Sequence, residues 1–288
     1  MEPTKFQALN QKLTINCNGQ LVLLNKPLVM GILNTTPDSF FAQSRKQSLD
    51  EALKQAEQML VEGATFIDVG GYSTRPGAAD VSVEEEQKRV IPVIAHLTKH
   101  LPQAIISVDT FRAVIAKTAV EEGAAIVNDI SGGDFDNQML YTVASLKVPY
   151  IMMHKQGTPQ TMQQNPQYSH VTMDVLDYFN QKIAGARDLG IMDIVIDPGF
   201  GFGKSLSHNY QLLKELSHFK VMGVPVLAGI SRKKMIQSVA KTDALHALNG
   251  TTVAHTIALI NGANILRVHD VKEAVECINI VKATYGDI

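Results

Sequence analysis

Short, nearly continuous apolar runs alternate along the chain with longer segments of helical period. Eight such runs stand out: Val29–Asn34, Phe66–Gly70, Ile105–Asp109, Ala125–Asp129, Tyr150–His154, Ile194–Asp197, Pro225–Gly229 and Ile265–His269. Runs this short without alternation read as strands buried on both faces, the mark of a parallel sheet covered by helices. Between them, Leu49, Ala52, Leu53, Ala56, Met59 and Leu60 form one apolar stripe behind a capping-box pattern of Ser48 with Glu51. Ser82 with Glu85 repeats that device, and Pro92 is expected to kink or interrupt the helix that follows. Segments 113–122, 171–189 and 271–283 read as helices too, the first two running up to Gly123 and Gly190. Eight β-then-α units predict an α/β fold of the TIM (β/α)8 type, with a doubly wound open sheet as the competitor. Ahead of them, Leu13-Thr14-Ile15 and Leu21-Val22-Leu23 flank Asn18-Gly19, a turn signal. Residues 1–26 are therefore expected to form a β-hairpin that caps the bottom of the barrel. The whole chain, 1–288, is expected to be one domain.

Composition narrows the function classes. An apolar fraction of 45% against 19% charged supports a large core and excludes a disordered chain. The net charge of -2 gives no global basic field for nucleic acid or an anionic membrane, so an anion site must be built locally. Two cysteines, Cys17 and Cys277, are too few for a disulfide framework. The polar opening segment suggests no secretory signal, and no apolar run is long enough to span a bilayer. A soluble cytoplasmic protein is the expectation.

Each apolar run ends in a group able to carry charge or hydrogen-bond: Asn34, Asp68, Asp109, Asn128 with Asp129, His154, Asp197, Ser231-Arg232-Lys233, and Arg267 with His269. In a barrel these tips converge on the C-terminal face, where active sites form. The tips of runs two to four and six are acidic or amide, whereas the loops after runs seven and eight are cationic. Such loops commonly bind phosphate, and Arg267 offers a bidentate fork with Lys233 as a point charge. Asp109, Asn128 and Asp197 suit a heterocycle displaying N–H donors along one edge. The implied ligand is a flat polar ring joined to a phosphorylated arm. Gly- and Pro-rich segments after the first two runs suggest closing loops, with Arg75 able to reach a phosphate.

Other signals carry less. Asp197-Pro198-Gly199-Phe200-Gly201-Phe202-Gly203-Lys204-Ser205 has a P-loop ending, but Pro198 stands where the first Gly is required, so an NTPase is disfavoured. Its glycines instead let the backbone approach a flat ligand, with Phe202 as a stacking face. His96 and His100 have helical ligand spacing but no acidic residue between them, and read as a solvated face.

Taken together, these segments resemble bacterial dihydropteroate synthases along nearly the whole chain. The resemblance rests on Met30-Gly31-Ile32-Leu33-Asn34 with Thr36-Pro37-Asp38-Ser39-Phe40, and on Asp68-Val69-Gly70-Gly71 with Ser73-Thr74-Arg75-Pro76-Gly77-Ala78. Ser107-Val108-Asp109-Thr110, Asn128-Asp129-Ile130, the 197–204 segment, Ser231-Arg232-Lys233 and Arg267-Val268-His269-Asp270 complete it. It implies a TIM barrel that condenses 6-hydroxymethyl-7,8-dihydropterin pyrophosphate with p-aminobenzoate, releasing pyrophosphate and 7,8-dihydropteroate. Asp109, Asn128, Asp197 and Lys233 would hold the pterin, with Met153 and Arg267 near its faces. Asn34, Thr74, Arg75, Arg267 and His269 would bind pyrophosphate, Asn34 also contacting Mg2+. Pro76, Phe202, Ser231 and Lys233 would line the p-aminobenzoate slot. The catalytic set implied is Asn34, Arg75, Lys233, Arg267 and His269, in a cytoplasmic homodimer.

The family usually continues its first loop as Ser-Asp-Gly-Gly, whereas this chain reads Phe41-Ala42-Gln43-Ser44, with Ala42 in place of the acid. Sulfonamide affinity is expected to differ for that reason. Two other readings remain at this point: a non-catalytic pterin-binding relative, and a methyltetrahydrofolate-binding methyltransferase domain. The second has no need of Thr74-Arg75 or of pyrophosphate-binding cations.

Overall fold

The computed structural model describes residues 13–35, 45–72, 80–158 and 166–286. A hairpin of β1 (Thr14–Cys17) and β2 (Gln20–Leu23) comes first. The barrel strands are β3 (Leu28–Asn34), β4 (Phe66–Gly70), β5 (Ile105–Asp109), β6 (Ile126–Asp129), β7 (Tyr150–Met153), β8 (Ile194–Asp197), β9 (Leu227–Ala228) and β10 (Ile265–Val268). Between and after them run α1 (Arg45–Glu62), α2 (Val83–His100), α3 (Ala113–Glu121), α4 (Met139–Leu146), α5 (Val171–Asp188), α6 (Leu206–Lys214), α7 (Lys234–Ala240), α8 (Leu248–Ile260) and α9 (Val271–Tyr285).

The strands pair in parallel in the order β8-β7-β6-β5-β4-β3-β10-β9. A parallel bridge from Ile196 to Val226 joins the two ends, so the sheet closes as a TIM barrel rather than an open sheet. β9 is shorter than the run Pro225–Gly229 suggested. Pro225 has no N–H for a ladder, and the Val226 amide is spent on the side-chain oxygen of Asn264 at 2.9 Å.

Apolar packing falls into two layers. The outer one lies between strands and helices, where Val69, Val108 and Val127 meet Val90, Val93 and Ile115. The inner one fills the N-terminal mouth: Ile15, Cys17, Val22 and Leu24 of the hairpin region pack on Met30, Phe66, Ile105, Ile151, Val195 and Leu227. The hairpin is tied down by the Asn16 amide donating to Asp193 Oδ2 at 3.1 Å. A hairpin plug is therefore present from residue 13 onward, and residues 1–12 of the expected segment lie outside the described residues.

Local expectations fare unevenly. Ser82 does cap α2, accepting from the Glu85 amide at 3.2 Å, but the Glu85 carboxylate turns to Arg89 at 2.8 Å. Pro92 does not interrupt α2, which runs from Val83 to His100. The fully buried Val90, Val93, Ile94 and Leu97 outweigh one missing hydrogen bond. Ser48 is not an N-cap. α1 opens earlier, at Arg45, and Ser48 is buried within it. No helix among the described residues is long and apolar enough to cross a membrane.

Candidate active site

Strand alternation decides which tip residues face the barrel axis. Asp109 on β5 lies in register with Asn128 on β6, and Met153 on β7 with Asp197 on β8. Arg267 on β10 is level with Met30, which is level with Phe66 on β4. Asp68 lies two residues further along that strand, on the same face. The long Arg267 side chain spans the offset: its Nε donates to Asp68 Oδ2 at 2.6 Å and its Nη2 to Asp109 Oδ2 at 2.6 Å. Asp68 Oδ2 also accepts from Asn128 Nδ2 at 3.0 Å. One fully buried carboxylate thus orients both an arginine and an amide on neighbouring strands.

Asp197 and Lys233 form the other side of the cluster. A Cβ placed on Gly229 would stand 3.5 Å from Asp197 Oδ2 and 3.8 Å from Lys233 Nζ, so both side chains converge over that bare backbone. Asp197 Oδ1 accepts from the Gly199 amide at 2.8 Å. Lys233 Nζ donates to the Phe200 carbonyl at 2.5 Å and lies 4.7 Å from the centre of the Phe202 ring. In the segments that follow β9 and β10, Ser231 Oγ and His269 Nδ1 are 3.1 Å apart.

The electrostatics follow from this crowding. Burial raises Asp197 above the ordinary carboxylate range, with Lys233 opposing. Burial raises Asp109 likewise, against the pull of Arg267. Desolvation lowers Lys233 to about 8, despite the attraction of Asp197. Desolvation would lower Arg267 as well, but Asp68 and Asp109 outweigh it and fix its charge. The cluster can accept N–H donors through its carboxylates and offer cations to an anion.

The structure thus brings Asp109, Asn128, Asp197, Lys233 and Arg267 into one cluster, with Met153 buried in register beside Asp197 and Phe202 beside Lys233. Asn34 stands at the exposed end of β3, on a cavity of about 90 Å³ shared with Ser48, Glu51 and Gln55. Thr74, Arg75 and Pro76, like Ala42, lie outside the described residues. Two tip residues face elsewhere. Arg232 does not join Lys233 and Arg267: its Nε and Nη2 fork onto Asp270 at 2.7 and 2.8 Å and its Nη1 bonds the Ala244 and Leu245 carbonyls. Asp129 points away from the axis and accepts from Ser131, Gly133 and Tyr150.

Asp68 and Lys204 carry more than the sequence reading gave them. Asp68 was visible as a charged strand tip, but its partnership with Arg267 joins residues 199 positions apart. Lys204 was visible only as the end of the 197–204 segment, with no role of its own. In the structure it is buried, and the following Ser205 caps α6 in a capping box with His208.

Comparison with known proteins agrees with this geometry. The pterin binding enzyme family matches residues 30–269. The chain is 46% identical over 263 residues to the dihydropteroate synthase of Escherichia coli K12, covering 91% of this chain and 93% of that one. It is 44% identical to that of Haemophilus influenzae, covering 93% and 97%. Among solved structures, the Yersinia pestis dihydropteroate synthase in complex with a sulfonamide drug superposes with a TM-score of 0.88 at 42% identity, over 94% of this chain and 99% of that chain. The Xanthomonas albilineans enzyme in complex with 7,8-dihydropteroate gives 0.84 at 36% identity, over 94% and 98%. The chain belongs to the pterin binding enzyme family, within its dihydropteroate synthases.

Proposed function

We propose that the protein condenses 6-hydroxymethyl-7,8-dihydropterin pyrophosphate with p-aminobenzoate to give 7,8-dihydropteroate and pyrophosphate. The observation that carries this reading is the Asp68-centred cluster, in which one buried carboxylate fixes Arg267 and Asn128 beside Asp109. Asp109, Asn128 and Asp197 offer acceptors to the N–H edge of the pterin, and Asn128 can also donate. Arg267 and His269, like Thr74 and Arg75, are assigned to the pyrophosphate by resemblance.

In the reaction, the bond between the pterin methylene carbon and the pyrophosphate oxygen breaks, and its electron pair leaves with the oxygen. The cation left behind is delocalised into the ring, where Asp109 and Asp197 favour positive charge. Arg267 and His269 stabilise the departing anion. The p-aminobenzoate nitrogen then forms the new C–N bond and releases one proton. Phe202, Ser231, Lys233 and Pro76 line its slot in this reading.

Mg2+ fits the donor chemistry. Asn34 is exposed at the strand tip and offers one amide oxygen, and no cluster of three or more His, Cys, Asp or Glu stands among the described residues as an all-protein cage. Mg2+ commonly keeps several waters and binds through few protein oxygens plus substrate phosphates. Bound there by Asn34, it would supply Lewis-acid stabilisation of the leaving pyrophosphate.

We also infer a cytoplasmic homodimer. Val239 of α7, Leu245, and Val253 and Ile260 of α8 are exposed apolar side chains on neighbouring outer elements, a surface suited to a second copy. Light scattering should then give twice the chain mass. Pyrophosphate release that depends on p-aminobenzoate tests the activity itself. Pterin binding without such release would instead mark a non-catalytic relative.

A further inference from the structure

We propose that Lys204 is a positioning residue: it latches the 199–203 loop, and with it Phe202, to the end of β7, and so shapes the slot for the aryl amine. This rests on the assignment of Phe202 to that slot.

Lys204 is 2% exposed, and its Nζ meets three acceptors: His154 Nδ1 at 2.9 Å, the Phe202 carbonyl at 3.1 Å and the His154 carbonyl at 3.4 Å. An ammonium carries three hydrogens and no lone pair, so it matches this set only if His154 presents a bare Nδ1. Burial, with Lys204 and Lys155 adding to it, lowers His154 to about 2 and keeps the ring neutral. With Lys204 charged, the ring proton then belongs on Nε2.

The backbone shows why a latch is wanted here. Gly199 and Gly203 adopt φ values of +71° and +62°, and a side chain at either would run into the carbonyl oxygen of His154 or Gln156. The loop is pressed against the strand that Lys204 grips. On its other flank, Asn209 accepts from the Gly201 amide at 2.6 Å and donates to the Lys204 carbonyl at 3.2 Å. The loop is thus held from both sides, and Phe202 is presented to Lys233. A buried amine is an expensive way to fill space, since desolvation lowers Lys204 to about 7. An apolar chain of equal length would pack at less cost but would leave two carbonyls and a ring nitrogen without a donor.

Lys204→Met should raise the KM for p-aminobenzoate about tenfold while the calorimetric Kd for the pterin pyrophosphate moves less than about twofold. His154→Leu should reproduce that split. His154→Asn, whose amide oxygen can replace Nδ1 as acceptor, should restore a near-normal KM. Nitrogen NMR of the unaltered protein below about pH 7, where Lys204 is charged, should show His154 unprotonated at Nδ1, and Lys204→Met should lose that fixed tautomer. Unchanged p-aminobenzoate KM in folded Lys204→Met, or a protonated Nδ1 in the unaltered protein at a pH below about 7, where Lys204 is charged, would overturn the latch. If Lys204→Met does not fold, His154→Leu with normal p-aminobenzoate KM overturns it equally. Phe202→Ala separates the two levels: a normal KM there removes Phe202 from the slot and with it the proposed effect on the amine, whereas a raised KM beside a normal one in Lys204→Met rejects the latch alone.

Discussion

The two mouths of the barrel are built from the same strands and do opposite things. At the N-terminal mouth, Ile15, Cys17, Val22 and Leu24 meet Met30, Phe66 and Ile105 in an apolar layer. At the C-terminal mouth, a few residues further along, Asp68, Asn128, Asp197 and Lys204 are nearly or fully buried. Burying such groups costs several kcal/mol unless they are paired, and here each has a partner within the cluster or the adjoining loop. The difference shows where binding energy has been placed: the lower mouth stabilises the fold, and the upper mouth holds charge ready for a ligand.

Mutations at the two ends should therefore separate cleanly. The largest effect is expected from Arg267→Ala, which removes the cation proposed to stabilise the leaving group. Steady-state kinetics should show kcat/KM lower by about 10²- to 10³-fold. At the opposite mouth, Ile15→Ala should cost about 2–3 kcal/mol in denaturant unfolding, with kcat/KM unaltered. A change in turnover there would blur the division. Asp68→Asn comes next. It keeps the volume but removes the charge that orients Arg267, and pterin pyrophosphate binding should weaken about tenfold in calorimetry.

The pH response offers a finer contrast. Lys233 is lowered to about 8 from 10.5, so kcat/KM should fall as pH rises through about 8 and its proton is lost. Stability should move the other way. Between about 8 and 10.5 the unfolded chain holds a proton on this lysine that the native state does not, so unfolding free energy rises with pH over that window. Parallel loss of both would show that Lys233 is not desolvated in the native protein. The smallest effect is expected at the variant first loop. Ala42→Asp should change the inhibition constant for a sulfonamide in a side-by-side assay, and equal constants would remove that loop from the argument.

Much of this architecture is legible in the residues. Phe66–Gly70 and Ile105–Asp109 appear as strands at the stated bounds because uninterrupted apolar runs leave little choice of environment. The convergence of Asp109, Asn128, Asp197, Lys233 and Arg267 follows from closing those strands into a ring. What resists a sequence reading is where a tip side chain turns. Asn128 and Asp129 are adjacent, yet alternation sends the first to the axis and the second to Tyr150. Arg232 and Arg267 carry the same group, but Asp270 and two carbonyls claim the first while Asp68 and Asp109 hold the second. Such choices depend on partners far away in the chain. Likewise, nothing local marks Ser48 as internal to α1, since the helix begins three residues before it.

The most direct test of the central claim is a crystal structure of the protein with 6-hydroxymethyl-7,8-dihydropterin pyrophosphate bound. The ring edge is expected within hydrogen-bonding distance of Asp109, Asn128 and Asp197, with the pyrophosphate toward Arg267 and His269. A ligand seated away from that cluster, or turned so that its phosphates meet the carboxylates, would contradict the account.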